Sequence, residues 1–160
     1  MTKESHSVVA QGNPGFEPKI IAITCNFCTY AGADLAGTSR IQYPTNVRII
    51  RVMCSGRVDP TFVLKALQEG ADGVLIAGCH PGDCHFLVGN EKALRRYTVL
   101  SKMLKQVGLE PERVRLEWIS ASEGEKFAKV IRSMVQDLRR VGPNPYKNGL
   151  QGGGKVGLSS

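Results

Sequence analysis

Aromatic side chains make up only 6% of this 160-residue chain, too few to build the stacking platforms on which single-stranded nucleic acids are held. No apolar stretch approaches the roughly 20 residues that cross a bilayer, and no basic-then-apolar leader opens the sequence. Both absences predict a cytoplasmic protein without a membrane partner. No Gly-rich phosphate loop of the GxGxxG or GxxxxGK[ST] kind follows a strand and opens a helix, which argues against a nucleotide or flavin of its own. There is no internal repeat, no evident general acid, base or nucleophile, and no cysteine beyond Cys84.

What is present is one domain's worth of chain, 17.4 kDa, long enough to bury a core without disulfides. The formal charge of +7 and the pI near 9.3 raise the question of phosphate binding. The basic residues are dispersed, however. Their densest stretch, Lys92, Arg95, Arg96, Lys102, Lys105, Arg113 and Arg115, reads mainly as the polar side of an amphipathic helix, so no nucleic acid is expected as a partner.

All five cysteines lie between positions 25 and 84, as Cys25-x2-Cys28, Cys54 and Cys79-x4-Cys84. In a reducing compartment spaced thiols read as metal ligands or redox groups, and an odd number fits disulfide pairing poorly. Each group directly follows an apolar run: Ile20 to Ile23, Val47 to Val52, and Val74 to Ala77. If these runs are parallel strands, their carboxyl ends bring the three groups to one edge, where open α/β sheets build their sites.

The remaining pattern supports that arrangement. Strands are predicted over Pro18 to Thr24, Val47 to Met53, Gly73 to Ala77 and Val114 to Ile119. Between them lie a short helix from Tyr30 to Leu35 ended by Gly37, a helix capped by Asp59-Pro60 with Phe62, Val63, Ala66 and Leu67 inward, and a long helix with Ala93, Tyr97, Leu100, Leu104 and Val107 on one face and Gly108 at its end. Ser122-x-x-Glu125 reads as a capping box for a last helix carrying Phe127, Val130, Ile131, Met134 and Leu138. The fold class is therefore α/β: a single domain over 18–142, with a four-stranded, mainly parallel sheet and helices on both faces. An arm, 1–17, precedes it and a Gly- and Ser-rich tail, 143–160, follows.

Several chemistries compete for the thiols. A structural zinc site uses paired knuckles; Cys25-x2-Cys28 qualifies, but Cys79-x4-Cys84 is wide and Cys54 would have no role. Iron-sulfur clusters accept such x2 and x4 gaps. A thioredoxin-like dithiol explains two cysteines of the five. Mixed Cys-His ligation by His80 or His85 is disfavoured, because adjacent side chains point apart. Gly78, Gly82 and Ser55-Gly56 leave N–H groups able to reach thiolate or sulfide, and Arg57 with Arg51 could offset cluster charge. All of Cys25, Cys28, Cys54, Cys79 and Cys84 are candidate ligands. A cluster needs four, and the spare is left open, with a slight preference for Cys25.

The segments Cys25-Asn26-Phe27-Cys28, Arg51-Val52-Met53-Cys54-Ser55-Gly56-Arg57 and Gly78-Cys79-His80-Pro81-Gly82-Asp83-Cys84-His85 resemble the iron-sulfur delta subunit of the methyl-viologen-reducing [NiFe] hydrogenase of methanogens, over roughly residues 18 to 146. The resemblance implies a [2Fe-2S] protein without catalytic residues of its own. It would hand electrons from [NiFe] hydrogenase subunits to the flavin-containing heterodisulfide reductase subunit of an electron-bifurcating hetero-oligomer. The alternative is a structural four-cysteine zinc module that bridges subunits or binds nucleic acid.

Overall fold

The structure, a computed structural model, describes residues 15–146; most of the expected arm and tail lies outside the described residues. Four strands, β1 (Ile20–Cys25), β2 (Val47–Val52), β3 (Gly73–Gly78) and β4 (Val114–Trp118), alternate with four helices, α1 (Thr29–Thr38), α2 (Pro60–Gln68), α3 (Gly89–Gln106) and α4 (Gly124–Val141). The sheet is entirely parallel, in the order β2-β1-β3-β4. The chain therefore winds outward one way from β1 to β2 and the other way from β3 to β4. The change of direction lies between β1 and β3, where parallel sheets open a crevice at their carboxyl ends.

Strand alternation sends side chains to two cores. Ile20, Ala22, Val47, Leu75 and Ala77 meet Phe127, Ile131, Met134 and Leu138 of α4 and Ala33 and Ala36 of α1. On the opposite face Ile23, Val74, Ile76 and Val114 meet Val63 and Leu67 of α2 and Leu100 and Leu104 of α3. Each buried Leu, Ile or Phe contributes about 1.5–3 kcal/mol of transfer free energy. Central β3 is buried at every residue, as a strand covered on both faces must be.

Four local expectations are corrected. Gly37 does not end α1; it lies within the helix, and the reversal falls on Arg40 at φ 56°. The capping box does not form. Gly124 begins α4 against α1, where a β-carbon would lie 2.8 Å from the Ala36 nitrogen, and the Ser122 hydroxyl pairs with Ser120 instead. Phe62 and Val107 are exposed rather than inward. Phe62 projects towards edge strand β2, where it lines a shallow groove with Ile21, Ile50 and Ala66. Arg113, counted among the basic surface residues, is wholly buried. Its guanidinium donates to the carbonyls of Asp72, Gly142 and Pro143 and pairs with Glu110 at 2.6 Å.

Candidate metal centre

The register explains why distant thiols meet. Cys25 of β1 lies level with Val52 of β2, and Thr24 lies level with Ala77 of β3, so Cys54 and Cys79 each stand two residues beyond their strand's aligned position. The sulfurs of Cys25 and Cys79 approach to 3.6 Å across the crevice between β1 and β3. Cys28, from the turn that opens α1, joins them, and the three sulfurs lie within 4.8 Å of one another. Cys54 and Cys84 form a second pair at 4.0 Å. The two groups adjoin in one cluster, in which Cys28 packs against four buried cysteines.

Burial pushes the Cys28, Cys54 and Cys79 thiols upward in pKa, and for Cys79 the neighbouring sulfurs of Cys28 and Cys25 push further. Cys84 behaves oppositely. Burial raises it, but the backbone N–H groups of Asn90, Phe86 and Gly89 outweigh that and hold it below the usual thiol value. Thiols crowded this closely repel as thiolates. A metal centre held by these sulfurs would supply the missing positive charge and favour the thiolate form.

The surroundings fit a thiolate-held iron-sulfur group. A β-carbon on Gly89 would lie 2.0 Å from the Cys54 sulfur and 3.1 Å from that of Cys84, so the cage requires glycine there. The Gly56 N–H donates to Cys54 at 3.4 Å and the Thr29 N–H to Cys25 at 3.4 Å. The buried Ser55 hydroxyl has no hydrogen-bond partner and lies against Gly78, the residue before Cys79. Such a hydroxyl is a ready donor to a bridging or ligating sulfur.

The neighbouring histidines are engaged elsewhere. His80 Nε2 meets Glu123 Oε2 at 2.6 Å, and Glu123 also accepts the Ser120 N–H at 2.8 Å. That N–H, followed by the His80 ring, holds the Glu123 carboxyl at about 2, well below the ordinary value. The His85 ring stacks on Phe27 with centroids 4.0 Å apart. Arg57 is exposed, while Arg51 lies over the Tyr30 ring at 4.8 Å. Gly82 reverses the loop at φ 90°, between Cys79 and Cys84.

Sequence reasoning missed Gly89 and Asn90. The Asn90 side chain, 1% exposed, donates to the carbonyls of Cys79 and His80 at 3.2 and 2.7 Å, tying the thiol loop to the start of α3. The signal in the chain was a Gly-Asn pair following Phe86-Leu87-Val88 just before a helical period. No helix among the described residues is long and apolar enough to cross a membrane.

A cage of cysteine sulfurs at the crevice of a doubly wound parallel sheet defines a small α/β domain with the donor set of a thiolate-type metal centre. The family model described as FlpD, methyl-viologen-reducing hydrogenase, delta subunit, matches residues 20–142, and the chain belongs to that family. It is 56% identical over 132 residues to the iron-sulfur subunit of the F420-non-reducing hydrogenase of Archaeoglobus profundus, covering 82% of this chain and 96% of the relative. It is 58% identical over 132 residues to the iron-sulfur subunit of the F420-non-reducing hydrogenase vhc of Methanococcus voltae, covering 82% and 92%. A third relative is much longer. It is a subunit of the ferredoxin/F(420)H(2)-dependent CoB-CoM heterodisulfide reductase of Methanosarcina acetivorans, 54% identical over 126 residues, which are 79% of this chain and 16% of that protein.

Proposed function

We propose that the chain is an electron-transfer subunit in which Cys28, Cys54, Cys79 and Cys84 hold a [2Fe-2S] cluster, with Cys25 beside it as the fifth thiol. It relays electrons from a [NiFe] hydrogenase to the flavin-containing subunit of a heterodisulfide reductase, in a cytoplasmic, electron-bifurcating complex. The observation that carries this reading is the convergence of thiols from three loops: the Cys54 and Cys84 sulfurs lie 4.0 Å apart, and those of Cys28 and Cys79 lie within 4.8 Å of each other. The relatives' names supply the two ends of the relay, a hydrogenase and a heterodisulfide reductase.

When bound, a four-thiolate cluster supplies a reversible one-electron store. The chain's own residues do the rest. Cys79 and Cys84 come from the loop after β3, Cys54 from the loop after β2 and Cys28 from the turn that opens α1. Cys25, 1% exposed, donates its S–H to the Thr29 hydroxyl at 3.7 Å, a partner that a protonated thiol keeps and a metal-bound thiolate loses, which suits the thiol left over. The N–H groups of Gly56, Gly89 and Asn90 face sulfurs, and such bonds raise a cluster's reduction potential. Burial of four of the five cysteines excludes water and protects against loss of metal.

The test is anaerobic purification followed by iron and acid-labile sulfide assay and EPR of the reduced protein. Near-equal iron and sulfide with a [2Fe-2S] signal supports the reading. A colourless protein with one zinc overturns it, and a [4Fe-4S] spectrum overturns the nuclearity alone.

A further inference from the structure

Of the five thiols, Cys28 is the one that is half-buried; Cys25, Cys54, Cys79 and Cys84 are all buried. The surface around Cys28 is therefore where the cage comes nearest to solvent. Its neighbour Phe27 stacks on His85 and meets Phe86 edge-on at 5.7 Å, and His85 meets Phe86 at 5.2 Å. Three rings thus join the loop of Cys28 to the loop of Cys84. They do not form a core, because Phe27 and Phe86 remain 37% and 47% exposed, and the apolar run continues outward in Leu87 and Val88.

Leu87 combines two features that an isolated subunit would avoid. Its φ is 63°, a left-handed conformation that disfavours a bulky side chain. It is also 83% exposed, the highest value among the large apolar residues described. Glycine at this position would remove both penalties. The reversal itself is firmly held, with the Leu87 N–H on the Cys84 carbonyl at 2.9 Å and the Val88 N–H on the Phe86 carbonyl at 2.8 Å. The side chain is presented on a rigid turn three residues from a proposed ligand.

We propose that Phe27, Phe86 and Leu87 form the docking surface for a protein subunit that carries its own redox cofactor and offers an apolar socket to Leu87. This rests on the electron-carrier reading above. The occupant follows from position: an electron crosses between proteins where their redox groups approach closely, and the opening at Cys28 is that place on this chain. Covering it with aromatic and aliphatic contacts also dries the path, as interface cores do. A second copy of this chain would turn cage towards cage and close the route to any donor or acceptor.

The test replaces Leu87 with glycine and, separately, with aspartate, both tolerant of the left-handed turn. The probes are the cofactor-loaded hydrogenase and heterodisulfide reductase subunits of the complex. Expected for both variants are wild-type iron and sulfide content, an unchanged EPR spectrum, and thermal stability that does not fall for Leu87→Gly. Affinity for a cofactor-bearing subunit should drop about tenfold or more, in the manner of an interface anchor. Electron delivery should be slowed at limiting subunit concentration and restored at saturation. Iron-replete variants that bind with wild-type affinity overturn the proposal while leaving the electron-carrier reading intact. Loss of self-association in place of partner binding overturns the assigned occupant. A wild-type chain without iron sinks the electron-carrier reading and this proposal with it.

Discussion

The sulfur of Cys54 occupies the space into which a side chain at residue 89 would grow: a β-carbon on Gly89 would sit 2.0 Å from it. Alanine in a helix normally gains about 0.5–1 kcal/mol over glycine. Gly89→Ala is expected to do the reverse, displacing Cys54 or the start of α3 and lowering iron and sulfide content several-fold. Gly37→Ala is the control, because an added β-carbon there meets nothing within 4 Å. That variant should keep its iron and melt slightly higher. Full iron occupancy in Gly89→Ala would show that the cage is looser than its geometry.

Serine replacement of the five cysteines one at a time should divide them unequally. Cys28, Cys54, Cys79 and Cys84 variants are expected to lose the cluster or show a changed EPR spectrum, whereas Cys25→Ser should retain it. Equal damage at all five positions would remove the distinction between ligands and a fifth thiol.

Acid should act partly through Glu123. Its folded pKa of about 2 lies below the ordinary 4.5, chiefly because of the Ser120 N–H and then His80, with Lys126 also within 3.9 Å. A depressed carboxyl stabilises fully above its unfolded value and loses that contribution as pH falls through its folded one. Between about pH 4.5 and 2 the wild-type unfolding midpoint should therefore fall more steeply than that of Glu123→Gln. Parallel curves for the two proteins would show that this carboxylate is not linked to folding.

Arg113 is the buried cation that ties α4's exit to the start of β3. Arg113→Met keeps the volume but strands the Asp72, Gly142 and Pro143 carbonyls and the Glu110 carboxylate. A loss of about 3 kcal/mol or more is expected, read as a lower urea midpoint. A midpoint within experimental scatter of wild type would mean that water replaces the guanidinium without cost.

The parts of this architecture that follow from short-range rules were readable in the chain. Apolar runs followed by thiols, separated by helical periods, imply parallel strands with a common carboxyl edge, and Asp59 caps α2 through the Thr61 N–H as its sequence context suggests. What depends on tertiary neighbours was not. Ser122 and Glu125 satisfy a local capping rule that lost to the close approach of Gly124 to α1. Phe62 has the right helical spacing but lies over the uncovered side of an edge strand. Gly89 carries no local sign of its role, since the atom that demands glycine belongs to Cys54. Arg113 looks like any surface arginine until the chain beyond α4 folds back over it.

Asp72 accepts the Lys19 N–H on one carboxylate oxygen at 2.9 Å and the Asn144 N–H on the other at 3.0 Å. The polypeptide thus enters and leaves through a single clasp at the amino-terminal rim of the sheet, opposite the sulfurs. A unit wired in this way is a cartridge: both of its leads emerge on one side, so it can be spliced into a longer protein without disturbing the contacts on the other.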